Sequence, residues 1–216
     1  TTPYAHQREA FVLSAEKKVY ALLMDMGTGK TKVCLDTIGH LFEKQEIDFS
    51  IIVAPKGVIA NWLGEIETHL PERIEREVVL WKPALTKKFR ETLKELSTPS
   101  PGKMKFLLMN VESFSSKKGV GVAEYFIKNF KVFMAVDEST TIKNRQAKRT
   151  KSISKLGLGA RYRRILTGSP VTRSPLDLYS QMNFLDEDIL GFNSFYAFQG
   201  RFAVIQRRTM GAHSFN

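Results

Sequence analysis

YALLMDMGTGKT, residues 20–31, decides how the rest of the chain is read. Its first five residues form a continuous apolar run, the mark of a strand covered on both faces. A turn containing Gly27 and Gly29 follows, and helical periodicity then runs over residues 30–42. Strand, glycine turn and helix in that order make a phosphate-binding loop. The two glycines let the chain turn tightly, so that the backbone of Met26, Gly27, Thr28 and Gly29 points N–H groups at phosphate oxygens. The helix start adds its unsatisfied amides and its positive dipole end. In this setting Lys30 reaches the terminal phosphates of a nucleotide and the Thr31 hydroxyl sits on magnesium. A GxGK[S/T] pentamer arises by chance in under about 1% of chains this long, so a fortuitous glycine turn is the weaker reading.

Outward from this loop, apolar runs recur at residues 50–54 (SIIVA), 78–81 (VVLW), 106–109 (FLLM), 132–136 (VFMAV) and 164–166 (RIL). Helical patterns fill residues 59–69, 86–96, 122–129 and 146–158 between them, and a further helix is expected over 176–185, after Pro175. This βαβ rhythm predicts one α/β domain over residues 1–216, with a mostly parallel central sheet flanked by helices. Residues 97–103 (STPSPGK) and 114–121 (FSSKKGVG) read as surface loops, and from Gly191 onward the periodicity fades.

With 43% hydrophobic residues the chain can bury a sizeable core, and its single cysteine excludes an internal disulfide framework. Cys34, one turn past Lys30, reads as a small buried residue rather than a nucleophile. The four scattered histidines and one cysteine do not compose a zinc site. No run approaches the ~18 apolar residues of a membrane span, and the first residues lack the apolar centre of a secretion signal. An intracellular protein away from membranes is expected.

Residues 132–140 read VFMAVDEST, an apolar strand running directly into Asp137 and Glu138. Strands of such sheets deliver functional residues at their C-terminal ends. Asp137 is therefore expected to hold the magnesium carried by Thr31, and Glu138 to polarise a water attacking the terminal phosphate. Asp137 and Glu138 stand 107 and 108 residues beyond Lys30, so only the fold can join them.

Lys and Arg outnumber Asp and Glu by 33 to 22, a net charge of +11. Nine of these cations fall between Lys143 and Arg164 with no acidic residue among them. Lys148, Lys151 and Lys155 recur at helical spacing, with Thr150, Ile153 and Leu156 on the opposite stripe. Such a helix would present a basic ridge to nucleic-acid phosphates, or simply a solvated face. Arg201, Arg207 and Arg208 continue the positive character.

In order along the chain, PYAHQ (3–7), MDMGTGKT (24–31), VAPKGVIANW (53–62), DEST (137–140) and LTGSP (166–170) resemble motifs of the helicase-type motors of superfamily 2. IKN after DEST, then RRILTGSPV and PLDLYSQMNFLD, narrow the resemblance to the chromatin-remodeller, Swi/Snf-type branch. The resemblance implies a RecA-like P-loop NTPase lobe that binds ATP and Mg2+, with Gln7 reading adenine. It implies that Lys56, Gly57 and Asn61 touch a nucleic-acid backbone, and that Thr167, Gly168 and Ser169 couple nucleotide state to the bound strand. Trp62, with Leu63 and Ile66, is expected to pack its helix on the sheet. The chain has no room for the second RecA-like lobe of such motors, which is expected in the same full-length protein. The complete protein would then be a DNA-dependent ATP hydrolase translocating on duplex DNA, and the lobe alone nearly inactive. A strand-separating DNA or RNA helicase, a restriction-type motor, or a non-motor P-loop phosphotransferase are the alternatives. Thr140 stands where the branch usually carries histidine, and Ser169 where it often carries threonine.

Overall fold

The computed structural model describes residues 2–204, together with the backbone of residues 208–210 and 213–215. Six strands, β1 (Val19–Leu23), β2 (Phe49–Ala54), β3 (Glu75–Leu80), β4 (Lys103–Asn110), β5 (Val132–Asp137) and β6 (Tyr162–Thr167), form one sheet in the order β1-β6-β5-β2-β4-β3. Every pairing within it is parallel. Parallel neighbours need crossovers, and the helices that supply them cover both faces. This explains why the strands read as continuous apolar runs.

Along β2 the side chains alternate between the two layers. Phe49, Ile51 and Val53 face a core completed by Phe126, Ile153 and Phe184, from α6 (Lys117–Asn129), α7 (Lys148–Gly157) and α8 (Asp177–Leu185). Ile52 and Ala54 face the other core with Val33, Ile38, Trp62 and Ile66, from α2 (Lys30–Glu43) and α4 (Asn61–His69). The domain is thus the α/β fold with a mostly parallel sheet that the periodicity predicts.

Several local expectations change. The helix expected over 59–69 is two pieces, α3 (Lys56–Ile59) and α4, separated at Ala60. Leu63 is exposed, while Trp62 and Ile66 pack as expected. Residues 114–121 are not a loop: a 3-10 turn over Val111–Ser115 leads into α6, whose N-terminus is capped by Ser116 accepting from the Gly119 N–H. Gly119 disguised this helix start by composition. A Cβ there would lie 2.3 Å from the Ser113 carbonyl oxygen, so only glycine allows that turn to pack against the helix.

Residues 5–14 form α1 (Ala5–Ser14), a helix of weak apolar periodicity capped by Gln7, whose Oε1 accepts from the Tyr4 N–H. Beyond Gly191, α9 (Phe195–Phe202) begins at a Ser194 cap. Residues 87–97 form α5 (Lys87–Ser97), close to expectation. Strands β7 (Arg208–Met210) and β8 (His213–Phe215) pair antiparallel. Arg207 and the side chain of Arg208 lie outside the described residues.

Candidate nucleotide site

Because all six strands run the same way, their C-terminal ends line one edge of the sheet, where ligands of open α/β sheets bind. The loop carrying Gly27 and Gly29 follows β1, α3 follows β2, Asp137 ends β5 and Thr167 ends β6. Leu166 pairs with Leu22 on one side and Asp137 on the other, and Thr167 pairs with Leu23. The two motifs that seemed remote in sequence are therefore one strand apart, separated only by β6.

The glycine turn is built as its sequence requires. Gly27 and Gly29 have φ of 77° and 84°, the left-handed region that favours glycine. At Gly29 a Cβ would also sit 2.3 Å from Nε2 of Gln7, so a side chain there would displace that amide. That amide nitrogen donates to the Thr28 carbonyl at 3.0 Å, and His6 Nε2 lies 2.9 Å from the same oxygen. The Gln7 amide thus braces the loop backbone, a role its sequence context did not reveal, and His6 shares it. Thr28 Oγ1 closes the turn by donating to the Asp25 carbonyl. Met26 is fully available at the loop tip, 83% exposed, and Thr31 is half-buried in the first turn of α2.

Lys30 folds back under the loop. Its buried ammonium donates at 3.0 Å to the carbonyls of Met24 and Asp25 and makes no ion pair among the described residues. The ammonium is thus held by two neutral carbonyls and by no carboxylate among the described residues.

Asp137 is buried and held at both oxygens. Oδ2 accepts from the Trp62 indole N–H at 3.0 Å, and Oδ1 from the Glu138 backbone N–H at 2.9 Å. Burial pushes its carboxyl above the ordinary range, against the pull of those two donors and of Lys30. Burial and the neighbouring Asp137 raise Glu138 as well, with Lys30 again opposing. The Lys30 charge pulls against both shifts, in keeping with the loop after β1 and the end of β5 flanking β6 on the same sheet edge. Glu138 itself has φ 47° and ψ 58°. A non-glycine residue in that region is strained by about 1–3 kcal/mol, and such strain clusters where a side chain must be aimed.

Trp62 is the residue that sequence reasoning undervalued. Its apolar pattern predicted packing alone, yet its indole N–H joins the helix after β2 to the acidic pair after β5. A buried indole needs an acceptor, which was the available signal. The Thr167–Ser169 loop also closes on the site. Ser169 N–H donates to Thr167 Oγ1 at 3.2 Å, and a Cβ on Gly168 would lie 3.3 Å from both Met24 O and Met26 N. Gly168 therefore rests directly on the start of the phosphate loop.

Cys34 is wholly buried, its thiol pushed up by burial to about 12, which agrees with an inert core residue. No group of three or more His, Cys, Asp or Glu among the described residues could hold a metal by itself. No helix among them is long and apolar enough to cross a membrane.

The basic segment divides. Lys148, Lys151 and Lys155 are exposed on α7, with Thr150, Ile153 and Leu156 turned inward. Arg164 belongs to the core: it is fully buried and donates to the carbonyls of Ser14, Lys17 and Lys18, closing the end of α1 onto β6. Burial lowers its guanidinium to about 10. Arg161 is spent on Glu46 at 2.7 Å. Counting cations by sequence window overstates the ridge, because β6 turns Arg164 into the core and Arg161 is paired with Glu46. Lys56, Gly57 and Asn61 are exposed after β2, and Lys117 and Lys118, which sequence reasoning assigned to a loop, are exposed at the start of α6 after β4.

Comparison with known proteins agrees with this architecture. The family model described as the SNF2-related domain matches residues 6–211. A probable ATP-dependent DNA helicase of Arabidopsis thaliana, CHR23, is 30% identical over 184 residues, covering 81% of this chain and 15% of that protein. The chromatin-remodeling ATPase INO80 of Debaryomyces hansenii is 29% identical over 79% of this chain and 12% of its own length. The SWI2/SNF2 ATPase core of Sulfolobus solfataricus, solved in complex with dsDNA, superposes with a TM-score of 0.72 at 22% identity, over 94% of this chain and 39% of that one. The chain thus spans about 15% of the length of the first of these curated relatives. A glycine loop, an acidic strand end and an intervening third loop on one sheet edge, with a family match over nearly the whole length, make this chain a member of the SNF2-related domain family, the N-terminal RecA-like lobe of the superfamily 2 helicase-type ATPases.

Proposed function

We propose that the chain is the ATP-binding first motor lobe of a nucleic-acid-dependent ATPase that moves on duplex DNA. The observation that carries this reading is that the phosphate loop after β1 and the acidic end of β5 lie on one edge of the sheet with only β6 between them, while Lys30 is held by carbonyls and not by an acid. The residues present fit a magnesium-bound triphosphate. Lys30 has no carboxylate partner to displace, and space is open above Gly27, where a Cβ would meet nothing within 4 Å.

In this reading the backbone N–H groups of Met26, Gly27 and Gly29 and the start of α2 bind phosphate oxygens, joined by the Thr28 N–H once it leaves its 3.4 Å contact with the Asp25 carbonyl. Lys30 exchanges its two carbonyl acceptors for phosphate, a stronger charge-assisted partner. Thr31 and Asp137 hold magnesium, Asp137 kept in place by Trp62. Glu138, with its raised proton affinity, orients and accepts a proton from water. Bound MgATP supplies the phosphoanhydride whose hydrolysis drives the cycle. A cleft of about 330 Å³ beside Gln7, lined also by Arg8, Phe11, Lys32 and Asp36, is where the base would be read.

Lys56, Gly57 and Asn61, with Lys148, Lys151 and Lys155, contact the nucleic-acid backbone, and Thr167, Gly168 and Ser169 sense the phosphates. The dsDNA seen with the Sulfolobus solfataricus core supports a duplex partner. A second RecA-like lobe in the same full-length protein, working inside the cell, completes the enzyme, and the lobe alone turns over ATP very slowly. Titration calorimetry of this chain with MgATP should show binding that Lys30→Ala abolishes. The full-length protein should hydrolyse ATP faster with duplex DNA. Binding indifferent to Lys30 would refute the site; strand separation by the full-length protein would favour a helicase, and phosphate transfer to an acceptor a phosphotransferase.

A further inference from the structure

Two segments leave the site side by side: the one after Glu138 and the one after Ser169. They meet on a single buried side chain, Gln181 of α8, which is wholly shielded from solvent. Its Oε1 accepts from the Ser139 hydroxyl at 2.6 Å. Its Nε2 donates to the Pro170 carbonyl at 2.7 Å and to Asp177 O, one turn back on its own helix, at 2.8 Å. Ser139 is fully buried too and directly follows the strained Glu138. Outside this contact, Lys143 donates to the Thr172 hydroxyl and lies 3.6 Å from Asp177. The segments after the acidic pair and after the Thr167–Ser169 loop are therefore clasped at two points, one buried and one near the surface.

An apolar side chain could fill the volume of Gln181, and buried amides are costly unless satisfied. Here three of the four hydrogen-bonding sites of the amide are used, and two of those lead out of α8 to the two segments. Thr140 offers no ring to bridge from the acidic motif, so the side chain that joins the two loops is the one before it, Ser139, through Gln181.

We propose that Gln181 is a positioning residue which, through Ser139 and Pro170, fixes the backbone of Glu138 to the Thr167–Ser169 loop, so that a change at the nucleotide is passed to that loop. This rests on the ATPase reading above and adds the route of coupling within it. Breaking the bridge should leave nucleotide affinity alone and uncouple hydrolysis from nucleic acid.

The test uses the full-length protein with Gln181→Met and, separately, Ser139→Ala, which removes one hydroxyl and keeps the helix intact. MgATP affinity should stay within threefold of the unsubstituted protein. Stimulation of ATP turnover by duplex DNA, taken as the ratio of stimulated to basal rate, should fall at least tenfold. Hydrogen exchange with a non-hydrolysable ATP analogue should show protection of residues 139–142 in all forms, and of residues 168–169 only in the unsubstituted protein. Should Gln181→Met fail to fold, Ser139→Ala carries the test. A full stimulation ratio with shared protection in Ser139→Ala overturns the proposal. An unsubstituted protein with no nucleotide-dependent protection and no turnover overturns the ATPase reading itself, a result told apart by the behaviour of the parent protein.

Discussion

Replacing Trp62 by phenylalanine should weaken the domain mainly through one hydrogen bond. The indole N–H meets Asp137 Oδ2 at 3.0 Å in a site where both residues are nearly sealed from solvent. A hydrogen bond to a charged group contributes about 1.5–3 kcal/mol, but Trp62→Phe also loses ring contacts and Asp137→Ala also removes a buried charge. A double-mutant cycle cancels those terms. Trp62→Phe, Asp137→Ala and the double variant should therefore show a coupling of about 2 kcal/mol in urea unfolding followed by far-UV circular dichroism at pH 7.

The pH dependence gives the cycle a second check. Burial raises the Asp137 carboxyl above its unfolded value, so the folded state binds a proton there more readily than the unfolded state does. This group alone therefore lowers stability above its folded pKa and ceases to do so as pH falls below its unfolded one. The coupling to Trp62 depends on the ionised form and should shrink as the pH is lowered, beginning above the range of an ordinary aspartate. A coupling under about 0.5 kcal/mol would show that Trp62 acts by packing alone, and a larger one unchanged between neutral and acid pH would show that the indole does not hold the ionised carboxylate.

Asp177 has the opposite sign. Burial works to raise its carboxyl, but the Thr172 hydroxyl, the N–H groups of Thr172 and Arg173, and Lys143 together hold it down at about 2. It should contribute about 2 kcal/mol above its unfolded pKa, lost as pH falls from about 4 toward 2; Asp177→Asn should remove this and flatten the acid limb of the stability curve. For α7, changing Lys148, Lys151 and Lys155 together to glutamine should weaken duplex binding and reduce the steepness of its salt dependence, by up to about three counterions if all three touch phosphate. Fluorescence anisotropy across a salt series measures this, and an unchanged slope would assign the ridge to solvation.

Much of the site was readable before any coordinates. Glycines with positive φ, the lysine after them and an acidic pair after an apolar strand are constrained by local geometry, so their spacing carries the message. What went unread depends on contacts across the sheet. Gln7 braces the phosphate loop because α1 ends against Arg164, and neither partner is near the other in sequence. Arg164 looks like one more surface cation until the alternation of β6 turns it inward. The start of α6 was hidden because Gly119, a poor helix former, is selected there by a carbonyl packed where a Cβ would be.

By itself, then, the order of residues determined the α/β layering, the phosphate loop and the acidic strand end, because hydrophobic period and turn chemistry act over a few residues. The tertiary structure alone decided that β6 lies between the two motifs, that Trp62 holds Asp137, and that Gln181 joins the two loops. Those are contacts between residues 11 to 144 positions apart, and only burial in a shared core sets which side chains meet there.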